Sequence, residues 1–158
     1  MRAAAETAAR LGYHVHIEPP PIVGEARAAA EPLLERALHL ARPACWISSG
    51  ETTVHVRGRG RGGRNQELAL ASLERLATAE SAIMASVGTD GVDGPTDAAG
   101  AFVDSTMWSA LGAAAGAVIQ DALIRNDAYP LLDRLGALVR TGPSGTNVGD
   151  LQIVLVDG

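Results

Sequence analysis

The sequence predicts an α/β fold, a mixed sheet flanked by helices with glycine-rich ligand loops at the strand ends. Three observations carry this. Short apolar or alternating runs (13–17, 44–48, 52–56, 81–87, 137–140 and 151–156) are interleaved with longer runs of helical period. Three glycine-rich stretches (58–64, 88–100 and 141–150) each abut one of those runs. The first of them, Gly58-Arg59-Gly60-Arg61-Gly62-Gly63-Arg64-Asn65-Gln66-Glu67, joins an alternating run to a helical one.

Taken in order, residues 2–11 are an alanine-rich helix stopped by Gly12, a natural C-cap. Residues 13–17 alternate as a strand and are closed by Pro19-Pro20-Pro21. His14 and His16 share one face of it, but no third metal ligand lies nearby, and they read as two strand histidines. Apolar positions 26, 30, 33, 34, 37, 38 and 41 form a helical stripe, in which Pro32 predicts a kink or two helical pieces. Residues 44–48 are a buried strand, with Cys45 a packing residue. Strand, helix, strand over this length predicts a parallel βαβ unit. Ser48-Ser49-Gly50-Glu51 predicts a turn into a second strand, 52–56, antiparallel to the first. The helix 65–77 puts Leu68, Ala71, Leu73 and Leu76 on its core face, and Ile83, Ala85 and Val87 share a face of the strand 81–87. Residues 105–135 read as two or three short helices, with turns at Asn126-Asp127 and Tyr129-Pro130, before the strands 137–140 and 151–156.

A length of 158 residues suits one domain, or a small domain with part of another. Aromatics are only 3%, so the core must come from Ala, Leu, Val and Ile. The net charge of −5 argues against a nucleic-acid partner despite the local arginines. One cysteine excludes an intrachain disulfide and fits a reducing compartment. The start has no apolar leader and no run approaches a membrane span, so the expectation is a cytoplasmic protein. All thirteen basic residues are arginine. Schiff-base chemistry, a lysine base and a phosphate-binding lysine therefore lie outside what this chain supplies.

The glycine-arginine run reads as an anion-binding turn. Glycines such as Gly62 and Gly63 let backbone approach a ligand. The helix start that follows favours an anion, and Arg64 at the junction can fork two bonds onto a carboxylate or phosphate. Gly58-x-Gly60-x-x-Gly63 is literally a dinucleotide fingerprint. Its turn is crowded by arginines, however, and the acidic residue expected on the next strand, Asp90, sits in its own glycine loop. That loop carries Asp90, Asp93 and Asp97, without EF-hand spacing. A magnesium ion shared with nucleotide phosphates needs fewer protein ligands, so Asp93 and Asp97 read either as its ligands or as turn formers. Asp90, first off the strand, is the candidate ligand or base. The third loop offers hydroxyls and an amide, Thr146 and Asn147 among them, for oxygen-rich substrates or phosphates.

Five of these stretches also carry a resemblance. Ser-Gly-Glu-Thr-Thr-Val (49–54), Gly-Arg-Gly-Gly-Arg-Asn-Gln-Glu-Leu-Ala (60–69), Gly-Thr-Asp-Gly-Val-Asp-Gly-Pro-Thr-Asp-Ala-Ala-Gly-Ala (88–101), Asn-Asp-Ala-Tyr-Pro (126–130) and Thr-Gly-Pro-Ser-Gly-Thr-Asn-Val-Gly-Asp-Leu (141–151) resemble, in order and spacing, the C-terminal MOFRL domain of class II glycerate kinases. The departures are Ser49 for a usual glycine and Ala128 for a usual serine. The resemblance implies a MOFRL-like domain over 45–158, with 1–44 the end of the larger N-terminal kinase domain. It implies ATP-dependent phosphorylation of D-glycerate to 2-phosphoglycerate with Mg2+, although family members have often been labelled hydroxypyruvate reductases. It makes Arg64 and Asp90 catalytic and lines the cleft with Glu51, Gly62, Gly63, Asn65, Thr89, Thr146, Asn147 and Asp150. The family's lysine belongs to the N-terminal domain. The expectation is therefore a chain inactive until joined to that domain, or a free-standing module that binds nucleotide, phosphate or protein, with self-association covering the surface around 1–44.

Overall fold

Alanine-rich Arg2–Arg10 form α1, and Gly12 follows its last turn at a φ of +92°, a conformation glycine adopts without strain. The computed structural model describes residues 1–158 and builds on this helix a seven-stranded mixed sheet. His14–Ile17 form β1 and, after the three prolines, Ile22–Glu25 form β2, a strand absent from the sequence expectation. Ala26–Leu38 form α2, a single helix with Pro32 inside it rather than two pieces. Proline in a helix interior costs about 3 kcal/mol. Ala26, Ala30, Leu33, Leu34 and Ala37 are all buried, and full burial of each leucine returns about 1.5–3 kcal/mol. Packing outweighs the missing hydrogen bond.

The next segment corrects the sequence reading. Ser48 to Glu51 is no turn: Ala44–Thr53 run as one strand, β3, and no antiparallel strand occupies 52–56. β1 pairs in parallel with its first half (Val15 opposite Cys45), and β2 pairs in parallel with its second half (Val23 opposite Glu51). Gly50 belongs to that second pairing, since a Cβ there would overlap the backbone of Ile22. The small residues that look like a turn in sequence mark a close strand approach. The predicted parallel βαβ unit is present.

Arg64–Leu76 form α3, Ala82–Gly88 form β4, and Gly100–Asp104 form β5, a strand unforeseen at the end of the long glycine loop. Three short helices follow, α4 (Ser105–Ala110), α5 (Ala115–Ile124) and α6 (Ala128–Arg134). The chain closes with β6 (Leu138–Val139) and β7 (Asp150–Val156). The sheet order is β1-β3-β7-β4-β5-β6, with β2 beside β1 along the same edge of β3. β7 is antiparallel to both β3 and β4.

One face of this sheet carries α2 and α3, and α4, α5 and α6 pack behind α3. Trp46, Met84, Val103 and Val154 from the strands meet Leu33, Leu34, Leu68, Leu70 and Leu73 from the two helices in the main core. The other face meets only α1, through Ala8 against Cys45 and Ile47. A buried polar row crosses the main core toward one end of the sheet. Ser48 Oγ donates to Gln152 Oε1 at 2.9 Å, and Ser86 Oγ donates to Asn65 Oδ1 at 2.6 Å. No helix is long and apolar enough to cross a membrane.

Candidate functional site

Three central strands end together. Gly50 of β3 faces Asp150 of β7, and Asp150 faces Gly88 of β4. The glycine-arginine loop, the 88–100 loop and the 141–150 loop therefore meet at the carboxyl ends of β3 and β4, where α/β proteins bind ligands. An open cleft of about 730 Å³ lies there. It is bordered by Glu51, Gly62, Gly63, Arg64, Asp90 and Asn147, and Glu67, Asp93 and Asn126 line it as well.

Arg64 opens α3 and points across the strand ends. Its Nε donates to Asp150 Oδ2 at 2.7 Å and its Nη2 to Asp150 Oδ1 at 2.9 Å, a bidentate fork on a carboxylate that is 1% exposed. The fork holds the guanidinium charged, above the already high arginine range, and outweighs the opposing effect of burial. The remaining Nη1 edge faces the cleft and donates to the exposed Glu51 carboxylate at 3.1 Å. Arg64 is thus pinned by one edge and offers the other.

The sequence reading left the start of α3 open for a ligand anion; the protein fills it itself. Asp93 Oδ1 accepts from Asn65 N at 3.1 Å, and Oδ2 from Gln66 N at 2.9 Å. Burial pushes this carboxyl up from its ordinary value, while the Gln66 and Asn65 N–H groups pull it back down. Both oxygens of Asp93 are committed, so the residue does not fit a metal-ligand role. Asp97 accepts from Tyr129 Oη at 2.6 Å and from Arg140 Nε at 3.3 Å, outside the cleft. No three His, Cys, Asp or Glu side chains converge to hold a metal ion.

The glycines have a different use from the one expected. A Cβ on Gly58 would overlap the Arg125 carbonyl, one on Gly63 the Asp93 carboxylate, and one on Gly94 the Gly62 carbonyl. Their close approach is to other loops, while Gly60, Gly62, Gly63 and Gly94 also line the cleft. Two further site residues also turn inward. Asn65 is buried between Ser86 and Asp93. Thr89 Oγ1 donates to Gly149 O at 2.7 Å and accepts from Val148 N at 2.9 Å, binding the 141–150 loop down. Asp90 and Asn147 stay at the cleft, 3.5 Å apart, and Thr146 is exposed in the same loop. Sequence reasoning missed Glu67 and Arg27. Glu67 is buried at the base of the cleft, where Arg27 Nη2 approaches Oε1 at 2.9 Å and Asn126 Nδ2 donates to Oε2 at 3.1 Å. Its signal was a charged residue among the buried positions of α3.

With this geometry in hand, comparison with known proteins decides the family. The MOFRL family model matches residues 44–150. The chain belongs to the MOFRL family. D-glycerate 2-kinase of Thermotoga maritima is 52% identical over 117 residues, 74% of this chain and 28% of that protein. Glycerate 2-kinase of Pyrococcus horikoshii is 38% identical over 162 residues, 98% of this chain and 36% of that protein. The crystal structure of glycerate kinase from Thermotoga maritima superposes with a TM-score of 0.88 at 41% identity, over 98% of this chain and 39% of its own. This MOFRL chain thus spans between 28% and 39% of the length of these relatives. Residues 1–43 lie outside the family match but contribute β1, β2 and α2 to the same sheet and main core.

Proposed function

We propose that this MOFRL chain forms one wall of the active site of an ATP-dependent D-glycerate kinase, which transfers the γ-phosphoryl group to a glycerate hydroxyl to give 2-phosphoglycerate. The observation that carries the reading is Arg64, fixed by Asp150 on one edge with its other edge turned into the cleft, where its only partner is the exposed Glu51. An arginine so held stabilises charge on a transferring phosphoryl group, or grips the glycerate carboxylate, without reorganising. An anion taking that edge would replace the exposed Glu51 carboxylate there. In this reading Asp90, part of the cleft lining, orients the attacking hydroxyl and takes its proton. Asn147 in the lining, with the exposed Thr146 next to it in the same loop, supplies hydrogen bonds to substrate oxygens, and the backbone of Gly62 and Gly63 shapes the wall.

The charge balance of the cleft supports a partner domain. Its lining holds four carboxylates (Glu51, Glu67, Asp90, Asp93) and a single cation, Arg64. ATP and glycerate together bring several negative charges to it. The chain contains no lysine to offset them. On this reading the missing positive charge comes from a lysine-bearing domain closing over the cleft. Exposed Val56, Val92 and Val148 edge the strand-end surface it would cover, and exposed Leu11, Ile17 and Val23 make self-association its substitute. Asp93 and Asp97, held by the start of α3 and by Tyr129 with Arg140, do not fit a magnesium site.

The alternative, a non-catalytic binding module, draws on the same charge balance. Dinucleotide reduction is disfavoured, since the helix start that would receive a pyrophosphate is filled by Asp93. The deciding experiment is coupled ADP release with D-glycerate and Mg-ATP, on the chain alone and mixed with a separately expressed N-terminal domain of a related kinase. Turnover only on mixing is the expected result. Turnover by the chain alone removes the need for the outside lysine. No turnover in either, with ATP still bound by calorimetry, leaves the binding module.

A further inference from the structure

The loop that walls the cleft has almost no structure of its own. Between the end of β3 and the start of α3, the backbone belongs to neither helix nor strand. Its anchors lie in the turn between α5 and α6 and at the start of α6. Gly60 N donates to Arg125 O at 3.0 Å, Arg61 N to Asp127 Oδ1 at 2.9 Å, and Tyr129 N to Arg61 O at 2.9 Å. The most connected residue of that turn is Asn126. It has a left-handed φ of +53°, rare outside glycine and tolerated best by asparagine. It is only 7% exposed, and both ends of its amide are used. Oδ1 accepts from Arg57 N at 2.8 Å and from Gly58 N at 2.9 Å. Nδ2 donates to His55 O at 3.3 Å and to Glu67 Oε2 at 3.1 Å.

Donors and acceptors are matched in only one orientation. An amide nitrogen must face the Glu67 carboxylate and the His55 carbonyl, and an amide oxygen must face the two N–H groups. Glu67 is in turn held by Arg27 through Nε at 3.0 Å and Nη2 at 2.9 Å. Glu67 lies in the first turn of α3, the helix that Arg64 opens. Asn126 therefore ties three things together: the entry of the glycine-arginine loop, the first turn of the helix that presents Arg64, and Arg27 of α2.

We propose that Asn126 is a positioning residue of the candidate site, setting the cleft wall and the Arg64 helix against each other through its four hydrogen bonds. Its positioning of the loop stands on geometry; its importance for turnover rests on the kinase reading. Asn126→Gly preserves the left-handed backbone and deletes the amide. Asn126→Asp sets a carboxylate oxygen against Glu67, a repulsion that Glu67→Gln relieves by turning a donor toward it.

The test is residue-resolved hydrogen exchange on the whole chain, with mixed-domain turnover as a second arm. Asn126→Gly should speed exchange of the Arg57, Gly58, Gly60 and Arg61 amides at least tenfold while β4 and β7 keep their protection. Asn126→Asp should do the same, and Asn126→Asp with Glu67→Gln should restore slow exchange relative to Asn126→Asp alone. Where the mixed domains turn over, kcat should fall at least tenfold in Asn126→Asp, with a smaller change in KM, and recover in the double variant. Unchanged loop exchange in Asn126→Gly, uniform loss of protection throughout the sheet, or no recovery in the double variant overturns the proposal. Should the wild-type mixture show no turnover, the kinase reading fails, and the exchange arm still decides the positioning role.

Discussion

Asp150 and Arg64 show how a buried carboxylate makes an arginine useful. Both guanidinium nitrogens on one edge are committed at 2.7 and 2.9 Å, so the side chain has a single orientation toward the cleft. Asp150→Asn keeps the shape and replaces one acceptor with a donor facing another donor. Hydrogen bonds to charged groups contribute about 1.5–3 kcal/mol each. With Arg64 partly exposed and screened, a net loss of about 2 kcal/mol is expected in denaturant unfolding. A second residue gives a pH signature. Tyr13 Oη donates to Asp157 Oδ1 at 2.6 Å, and this bond, with burial adding to it, raises the phenol above its ordinary value. A raised folded pKa means that the folded state keeps the proton longer than the unfolded chain does. The contribution is full below about pH 10, the unfolded value, and is lost as pH rises through the folded one. Tyr13→Phe should therefore lower stability at neutral pH and flatten its alkaline decline, measured by unfolding at a series of pH values.

At the scale of elements, the glycine loops are fitted to each other. Gly58→Ala would drive a Cβ into the Arg125 carbonyl, so one loop must shift. Overpacking of this kind costs about 1–3 kcal/mol. Gly116, in α5, is the control, because a Cβ there meets only the rim of Trp108 at 3.5 Å. Gly116→Ala should stabilise by up to about 1 kcal/mol through helix propensity. Thermal melts of the two variants should therefore move in opposite directions. The loops were also where the sequence was least legible. Glycine and aspartate announce a loop but not its partner, and Asp93 caps α3 from 28 residues away in sequence, beyond any local pattern. Arg64, Glu51 and Asp90 could be named because their motifs lie in a recognisable order. The inward turn of Asn65 and Thr89 could not, since a polar side chain serves a ligand or a neighbouring loop with the same chemistry. The strands divided in the same way. β4 and β7 alternate and were readable, whereas Ser48-Ser49-Gly50 hid the continuity of β3, because Gly50 answers to β2 and Ser48 to Gln152 of β7 across the sheet.

For the whole molecule, the first 43 residues are as much a part of the fold as those matched by the family model. α2 buries its apolar stripe in the main core. Arg27 reaches from it to Glu67, whose side chain is only 3% exposed. Arg27→Ala would leave that carboxylate buried with Asn126 as its remaining partner, an expected loss of about 3 kcal/mol. Arg27→Ala combined with Glu67→Gln should cost less than Arg27→Ala alone, because no uncompensated charge remains. Equal losses in the two would show that packing of the arginine stem, not charge, is what matters.

The position of β7 has a consequence for how such a protein is made. It lies between β3 and β4 and is the last of the seven strands in the sequence. While the chain is being synthesised, β1 to β3 with α2 can gather on one side, and β4 and β5 with α3 on the other. Each assembly then presents a bare strand edge to the cell until the final strand leaves the ribosome. A nascent chain stalled before residue 150 is thus two open half-sheets, and chaperones that shield strand edges are the helpers its synthesis calls for.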